Sequence, residues 1–323
     1  RCASVVASRS LVWPTNSGMI IDRRDHIGGN CYDYESPDGI LVQEYGPHIF
    51  HESDPDIVAY LSRFTEWIPY RHRVMAYLDD RYYPIPINRT TINRFFGVEL
   101  DGEESVKRFL DSKRVEVPEI RNARDVVVSK YGTELYEAFI HHYTKKQWDR
   151  YPEELDRSIL ERLPVRYDDS PEYFNDSFQA LPKEGYTRMF EAMVDHPNID
   201  LHLETDFSEV SGIDAYDLVV YTGRIDGYYG YDLGPLEYRC IDFRFETLDT
   251  ERYQPYPVVN HPGPEYGYTR CTEFKHFRNT ESARTVILKE YPSWEGEPSY
   301  PVIDASNLER FRGYLARAES QDG

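Results

Sequence analysis

Asp22-Arg23-Arg24-Asp25-His26-Ile27-Gly28-Gly29-Asn30 puts an acid at the end of a short apolar run, Met19 to Asp22, and two adjacent glycines just after it. An acid in that place can hold ribose hydroxyls, and a glycine turn lets backbone come close to a phosphate, so the stretch reads as the second half of a dinucleotide-binding βαβ unit. The first half is not legible. Ser4-Val5-Val6-Ala7 begins like a strand, but Ser8 to Trp13 follow without the Gly-x-Gly-x-x-Gly that should cradle the pyrophosphate, and Pro14 interrupts any helix there. Elsewhere the residues able to do chemistry are spread out: His48 and His51 around a Gly46-Pro47 corner, Lys145-Lys146-Gln147-Trp148, Arg162 and Arg166 around Pro164, and Arg270 in a β-rich stretch. No catalytic triad or carboxylate dyad is visible. Cys2, Cys31, Cys240 and Cys271 form no Cys-x-x-Cys pair, so neither a metal site nor a disulfide framework is expected, and free buried thiols are.

Composition limits the partners. A formal charge of -20 repels nucleic acid and anionic membranes, and no basic run offsets it, so a nucleic-acid role is not expected. Screening confines that field to about 8–10 Å, and a few arginines converging in one cleft can still bind an anionic small molecule. With 323 residues, 40% apolar and 15% aromatic, the chain can bury two or three small cores. No run is long and apolar enough to span a bilayer, and the expectation is a cytoplasmic protein without membrane insertion.

The elements that must position these residues follow from periodicity. Met19–Asp22 and residues 39–45 read as strands, Ser53-Asp54-Pro55 opens a helix running toward Thr65, and residues 71–84 alternate as a hairpin turning at Asp79-Asp80. From Thr90 to about His142 the spacing is helical, with Val128, Tyr131, Leu135 and Phe139 three and four apart. Glu153 to Asp156 opens a short helix that Pro164 should end. Residues 187–194 read as a helix, 199–203 and 217–222 as strands extending the nucleotide-binding sheet. Residues 238–246, 258–260, 266–270 and 285–291 suggest a mostly antiparallel sheet, and 307–318 a helix.

Several stretches occur together and in order: Asp25 to Asn30 with Tyr45 to His51, Pro86-Ile87-Asn88, Tyr143-Thr144-Lys145-Lys146-Gln147-Trp148, Arg162-Leu163-Pro164-Val165-Arg166, Tyr173 to Pro182, Tyr238-Arg239, and Tyr268-Thr269-Arg270 with Lys275-His276. Over roughly residues 19 to 318 this pattern resembles the bacterial UDP-galactopyranose mutases. The resemblance implies an α/β fold in which an FAD-binding Rossmann-like domain, incomplete here, joins a helical domain and a twisted antiparallel β-sheet domain. It implies boundaries of 1–84 and 184–226 for the FAD domain, 85–162 for the helical domain, 163–183 and 227–303 for the sheet, and 304–323 for the start of a return to the FAD domain. It implies an enzyme that isomerises UDP-galactopyranose to UDP-galactofuranose without net redox change, N5 of the reduced FAD attacking the anomeric carbon. UDP-galactose is then the small-molecule partner, and a homodimer is the assembly the resemblance suggests, which the residues themselves do not decide.

Residue by residue, the resemblance gives Arg162 the substrate diphosphate from a mobile loop and Arg270 the sugar and phosphates. Tyr143 and Trp148 border the uracil with Phe139 beside them, Tyr173 and Tyr300 reach the phosphates, and His48 lies by the flavin ring. Asp22, Arg23, Gly28, Gly29, Asn30, Thr222, Gly223 and Arg239 hold the cofactor. Each also has a plainer reading: a solvated loop arginine, an outward strand charge, core aromatics at helical spacing, a hydrogen-bonded turn histidine. Ser299 stands where the family commonly has a second tyrosine beside Tyr300, and Arg224 where proline is usual. Without the glycine loop, and ending before the family's C-terminal flavin segment, the chain is expected to have a frameshifted or recombined start over residues 1 to about 18 and a truncated end, which puts its activity in question. Two alternatives stay open: a non-catalytic remnant that binds UDP-sugars weakly through Arg162, Arg270 and Trp148, and an FAD-dependent oxidoreductase of the amine-oxidase type.

Overall fold

The computed structural model describes residues 4–7, 18–213 and 216–321, the first four by their backbone alone. Cys2 and the stretch from Ser8 to Pro14 lie outside them. The chain forms two compact units, one of Arg1–Tyr70 with Asp176–Pro235, the other of Arg71–Asn175 with Leu236–Gly323.

The first unit holds a four-stranded sheet in the order Ile199–His202, Gly18–Ile21, Ser4–Ala7, Leu218–Val220. Ile199–His202 lies parallel to Gly18–Ile21, so the later strands do extend the sheet that ends in Asp22. Ser4–Ala7 runs antiparallel to both of its neighbours. A parallel pairing needs a crossover of a dozen or more residues, and the ten between Ala7 and Gly18 are too few. A second sheet pairs Phe178–Pro182 with Phe50–Glu52 and Trp67–Pro69 on either side. The helix expected to reach Thr65 spans Pro55–Leu61, capped by the Asp54 carboxylate, which accepts from Asp56 N.

Helix Tyr186–Val194 of this unit is capped from a distance in sequence. The buried Asp33 carboxylate accepts from Tyr186 N at 2.7 Å and Thr187 N at 2.9 Å, satisfying two donors of the first turn. A Cβ on Gly185 would stand 2.7 Å from that carboxylate, and Gly185 has φ +98°, so only glycine fits.

The second unit is a seven-stranded sheet packed against helices. Its order is Pro298–Pro301, Tyr238–Leu248, Thr285–Ser293, Arg270–Glu273, Val258–Asn260, Val74–Leu78, Arg81–Ile85, antiparallel except where Val258–Asn260 meets Val74–Leu78. The expected hairpin forms, its turn residues Asp79 and Asp80 both left-handed at φ 49° and 58°, the turn whose twist suits a two-residue hairpin. The expected strand at 266–270 instead begins at Arg270, and residues 261–269 make a loop. The helical layer comprises Arg89–Phe96, Glu103–Lys113, Ala123–Tyr131 and a composite segment in which the π-helical turn Tyr136–His141 leads into His142–Trp148. Val106, Leu110, Val127, Val128, Leu135, Tyr136 and Phe139 join Ala76 and Tyr83 of the hairpin in one apolar core. Cys240 and Cys271 are buried and Cys31 is half-buried, and none of the three is in a disulfide.

Glu273 at the end of its strand is fully buried and accepts from Tyr253 N, Gln254 N, the Thr285 hydroxyl and His276 Nε2 at 2.6–3.2 Å. Burial alone would raise its carboxyl; the four donors outweigh that and hold it down to about 2 against an ordinary 4.5. The carboxylate therefore stabilises the fold fully above pH 4.5, and that contribution is lost as pH falls toward 2. Glu273→Gln is expected to lower stability at pH 7 by about 3 kcal/mol and to flatten the acid limb, which urea midpoints at pH 7, 4.5 and 3 would measure.

Candidate functional site

In the second unit, Asn260, Arg270 and Glu290 stand directly opposite one another on three adjacent strands, flanked in the same row by Ala76 and Phe243. Residues so paired point to one face, and Ala76 belongs to the helix-facing core, so three polar side chains lie on the apolar side of the sheet. Arg270 Nη2 donates to Glu290 Oε2 at 2.8 Å. Asn260 Oδ1, Arg270 Nε and Glu290 Oε1 are each buried with no hydrogen-bond partner among the described residues. A buried polar atom left unpaired costs about 1–3 kcal/mol, and three in one row mark a surface built to meet a ligand rather than to close on itself.

Around this row stand Tyr143, Tyr300, Tyr173 and Trp148. Burial raises the phenol of Tyr143, an effect Arg270 opposes, and the Tyr300 phenol responds to the same two influences. The Tyr300 ring lies 6.0 Å from Trp148. For Arg270 itself burial would lower the pKa, but Glu290 and the phenols of Tyr143 and Tyr300 outweigh it and hold the guanidinium firmly charged. The exposed Tyr173 is held by its backbone: its N–H donates to His72 O at 2.8 Å, and its carbonyl accepts from Arg166 Nη2 at 3.0 Å. Arg166 also binds Glu172 O and Asn175 Oδ1, so this buried arginine fixes the 172–175 turn.

The other expected residues of this unit separate. Phe139 packs against Tyr83 and Phe95 at 5.3 and 5.4 Å inside the core, which makes it a packing residue. Arg162 caps the short helix Ser158–Glu161 on an exposed stretch, and no side-chain contact joins it to the Arg270 row. Arg239 is buried, donates from Nε to Gln147 O at 3.0 Å and lies 4.3 Å over the Trp294 ring, its Nη1 without a partner among the described residues. Trp294 in turn donates to Asp149, which also takes Lys145 Nζ. Lys146 Nζ reaches backbone carbonyls of residues 261, 263, 266 and 268.

In the first unit, Asp22, Arg23 and Gly223 line one cavity of about 350 Å³ with Arg24, Thr205 and Tyr231 among its walls. Gly223, next to Thr222, is where the Tyr221 ring approaches so closely that a Cβ would meet its hydroxyl at 2.4 Å. Gly28 and Gly29 are left-handed and open the turn Gly29–Cys31. Arg24 Nη2 donates to Asn30 Oδ1 at 2.9 Å, its guanidinium rests 4.3 Å over the Tyr45 ring, and its buried Nη1 has no partner among the described residues. His48 sits in the turn reading: Nδ1–H donates to Gly46 O at 2.9 Å, while Gln43 grips its backbone N–H and carbonyl at 2.7 and 3.0 Å. Arg224, where proline was usual, pairs with the fully buried Asp226 through both guanidinium ends. A strand-end acid, a cavity beside it and an orphaned guanidinium nitrogen fit the adenosine and phosphate chemistry of a flavin nucleotide. No cluster of metal-ligating side chains occurs among the described residues, and no helix there is long and apolar enough to cross a membrane.

Asn260, Glu290, Lys146 and Arg24 were not expected as site residues. Glu290 had only a weak signal: it follows Val286, Ile287 and Leu288 on a strand buried on both faces, where an acid needs a partner.

A family model described as UDP-galactopyranose mutase matches residues 138–323, and one described as an NAD(P)-binding Rossmann-like domain matches residues 3–64. The second match includes the stretch read as a foreign start, an expectation that thus finds no support. A probable UDP-galactopyranose mutase of Klebsiella pneumoniae is 40% identical over 99% of this chain and 84% of its own length. A dTDP-fucopyranose mutase of Escherichia coli is 33% identical over 94% of this chain and 83% of its own. A crystal structure of reduced UDP-galactopyranose mutase shares the fold, with a TM-score of 0.67 at 15% identity over 92% of this chain and 82% of that one.

Removing one member of the Arg270–Glu290 pair strands the other. Glu290→Leu is expected to destabilise by about 3 kcal/mol, and Arg270→Met with Glu290→Leu to recover most of it, as urea unfolding of the three proteins would measure.

Proposed function

The chain belongs to the UDP-galactopyranose mutase family of flavin-dependent isomerases, and we propose that it interconverts UDP-galactopyranose and UDP-galactofuranose with FAD as cofactor. The observation that carries this reading is the row of Asn260, Arg270 and Glu290 with its three unpaired atoms beside Tyr143 and Tyr300. Such a row offers both a donor and acceptors, which suits a sugar bearing hydroxyls at one end and an anionic leaving group at the other.

When bound, reduced FAD would supply the nucleophile through N5, so the protein need only bind and orient. Arg270 keeps a full positive charge, and its free Nε edge can donate to a phosphate oxygen while Nη2 stays on Glu290. A cation at that point favours departure of UDP, because charge develops on the diphosphate as the glycosidic bond breaks. Glu290 Oε1 and Asn260 Oδ1 can accept from sugar hydroxyls, orienting the ring. Tyr300 and Tyr173 are phenol donors for the diphosphate, and Trp148 with Tyr143 gives the uracil an aromatic border. Arg162, exposed on its loop, supplies a second cation when that loop closes. Asp22, Arg23, Arg24 and the Gly28-Gly29 turn would hold the nucleotide part of FAD, with His48 assigned to its ring. The E. coli relative is named for a thymidine-linked sugar, which makes dTDP-fucopyranose the competing substrate to assay.

Adding FAD, desalting and recording the visible spectrum tests the cofactor: a retained flavin band is expected, and its absence would favour the non-catalytic remnant. On dithionite-reduced protein, Arg270→Ala and Arg162→Ala are each expected to lower turnover of UDP-galactofuranose at least about 100-fold while the flavin band persists. Near-normal turnover in either variant removes that arginine from the mechanism.

A further inference from the structure

Lys146 lies on the helix that carries Tyr143 and Trp148, and its ammonium hydrogen-bonds to backbone carbonyls, with the charge of Glu265 in the same loop acting on it. It donates to His261 O, to Gly263 O at 2.8 Å, to Tyr266 O at 3.1 Å and to Tyr268 O at 3.2 Å. These carbonyls belong to the loop of residues 261–269, which joins the strand ending in Asn260 to the strand beginning at Arg270. The loop is pinned at its base, where His261 N–H donates to Thr269 O at 2.8 Å and Thr269 N–H to Glu290 O at 2.9 Å. Pro262 and Pro264 lack N–H groups, which limits the pairing available within the loop. A lysine ammonium offers three donors on a compact charge, so it can gather carbonyls that converge from several directions; a planar guanidinium cannot.

We propose that Lys146 is a positioning residue for the nucleotide-sugar pocket: its ammonium, caged by the 261–268 carbonyls, sets the placement of Asn260 and Arg270 against Tyr143 and Trp148. This rests on the functional reading above. Without the cage, the loop carbonyls turn toward water, the ends of both strands loosen, and the two walls of the pocket lose their fixed separation. Lys146 touches no reacting atom in this arrangement and acts only through the groups it holds.

The test is UDP affinity by titration calorimetry on the FAD-loaded full chain, run well below each protein's melting temperature, for wild type, Lys146→Met and Lys146→Arg. Lys146→Met is expected to weaken UDP at least tenfold and Lys146→Arg three- to tenfold, with faster amide exchange across residues 261–269 in both. Should Lys146→Met fail to fold, Lys146→Arg decides, since it keeps the charge and changes only the donor geometry. A lowered melting temperature with UDP affinity within twofold of wild type would show a merely structural lysine and overturn the proposal. Absence of UDP binding by wild type would instead overturn the functional reading, and this proposal with it.

Discussion

A charged pair on the apolar face of a sheet is the constraint from which the second unit follows. Arg270 and Glu290 are cross-strand neighbours on the side that also carries Ala76 and the packed helices. Neither charge tolerates the interior alone, and one hydrogen bond between them leaves Nε and Oε1 unserved. The surroundings are arranged accordingly. Phenols from two other elements come near, a loop is caged so that the strand ends hold still, and the helix bearing Tyr143 is re-phased by a π-helical turn just before it. Such turns shift every later side chain around the helix axis and recur at functional sites. Here it allows Tyr136 and Phe139 to stay in the core while Tyr143 meets the polar row.

Much of this was legible in residue order. The hairpin at Asp79-Asp80, the helical layer and the helix–strand–strand return at residues 186–220 could be read from periodicity, because each depends on local spacing, whereas Arg270, Tyr143, Trp148 and Tyr300 were named by the family resemblance alone. What escaped depended on register. Asn260 looks like the polar end of a short strand, and only its alignment with Arg270 makes it part of a row. Residues 266–269 read as strand because their tyrosines satisfy β propensity; the pull of one ammonium on four carbonyls is a tertiary effect that no local pattern encodes. Phe139 reversed in the other direction, helical spacing being equally good evidence for a core.

The first unit departs furthest from expectation at its first strand, where a short connection forces an antiparallel pairing in a sheet otherwise arranged around Gly18–Ile21. The acid at the strand end survives that change because its place is fixed by its own strand. The glycines at 28 and 29 serve the turn, and Arg24, anchored by Asn30 and stacked on Tyr45, is the cation that the turn presents.

The capping of helix Tyr186–Val194 by Asp33 has a consequence for synthesis on the ribosome. About 150 residues separate the carboxylate from the N–H groups it satisfies, and the central strand of the second sheet, Phe178–Pro182, likewise emerges long after its neighbours. At roughly 5–20 residues per second, the early strands wait on the order of ten seconds for the segments that complete them. During that interval Phe50 and Trp67, which stack 4.7 Å apart in the finished sheet, have no Phe178 to cover them. The nascent chain therefore passes through a stage in which its aromatic strand edges are open, and the period of greatest exposure to misassembly is set by the order of the gene rather than by the stability of the finished fold.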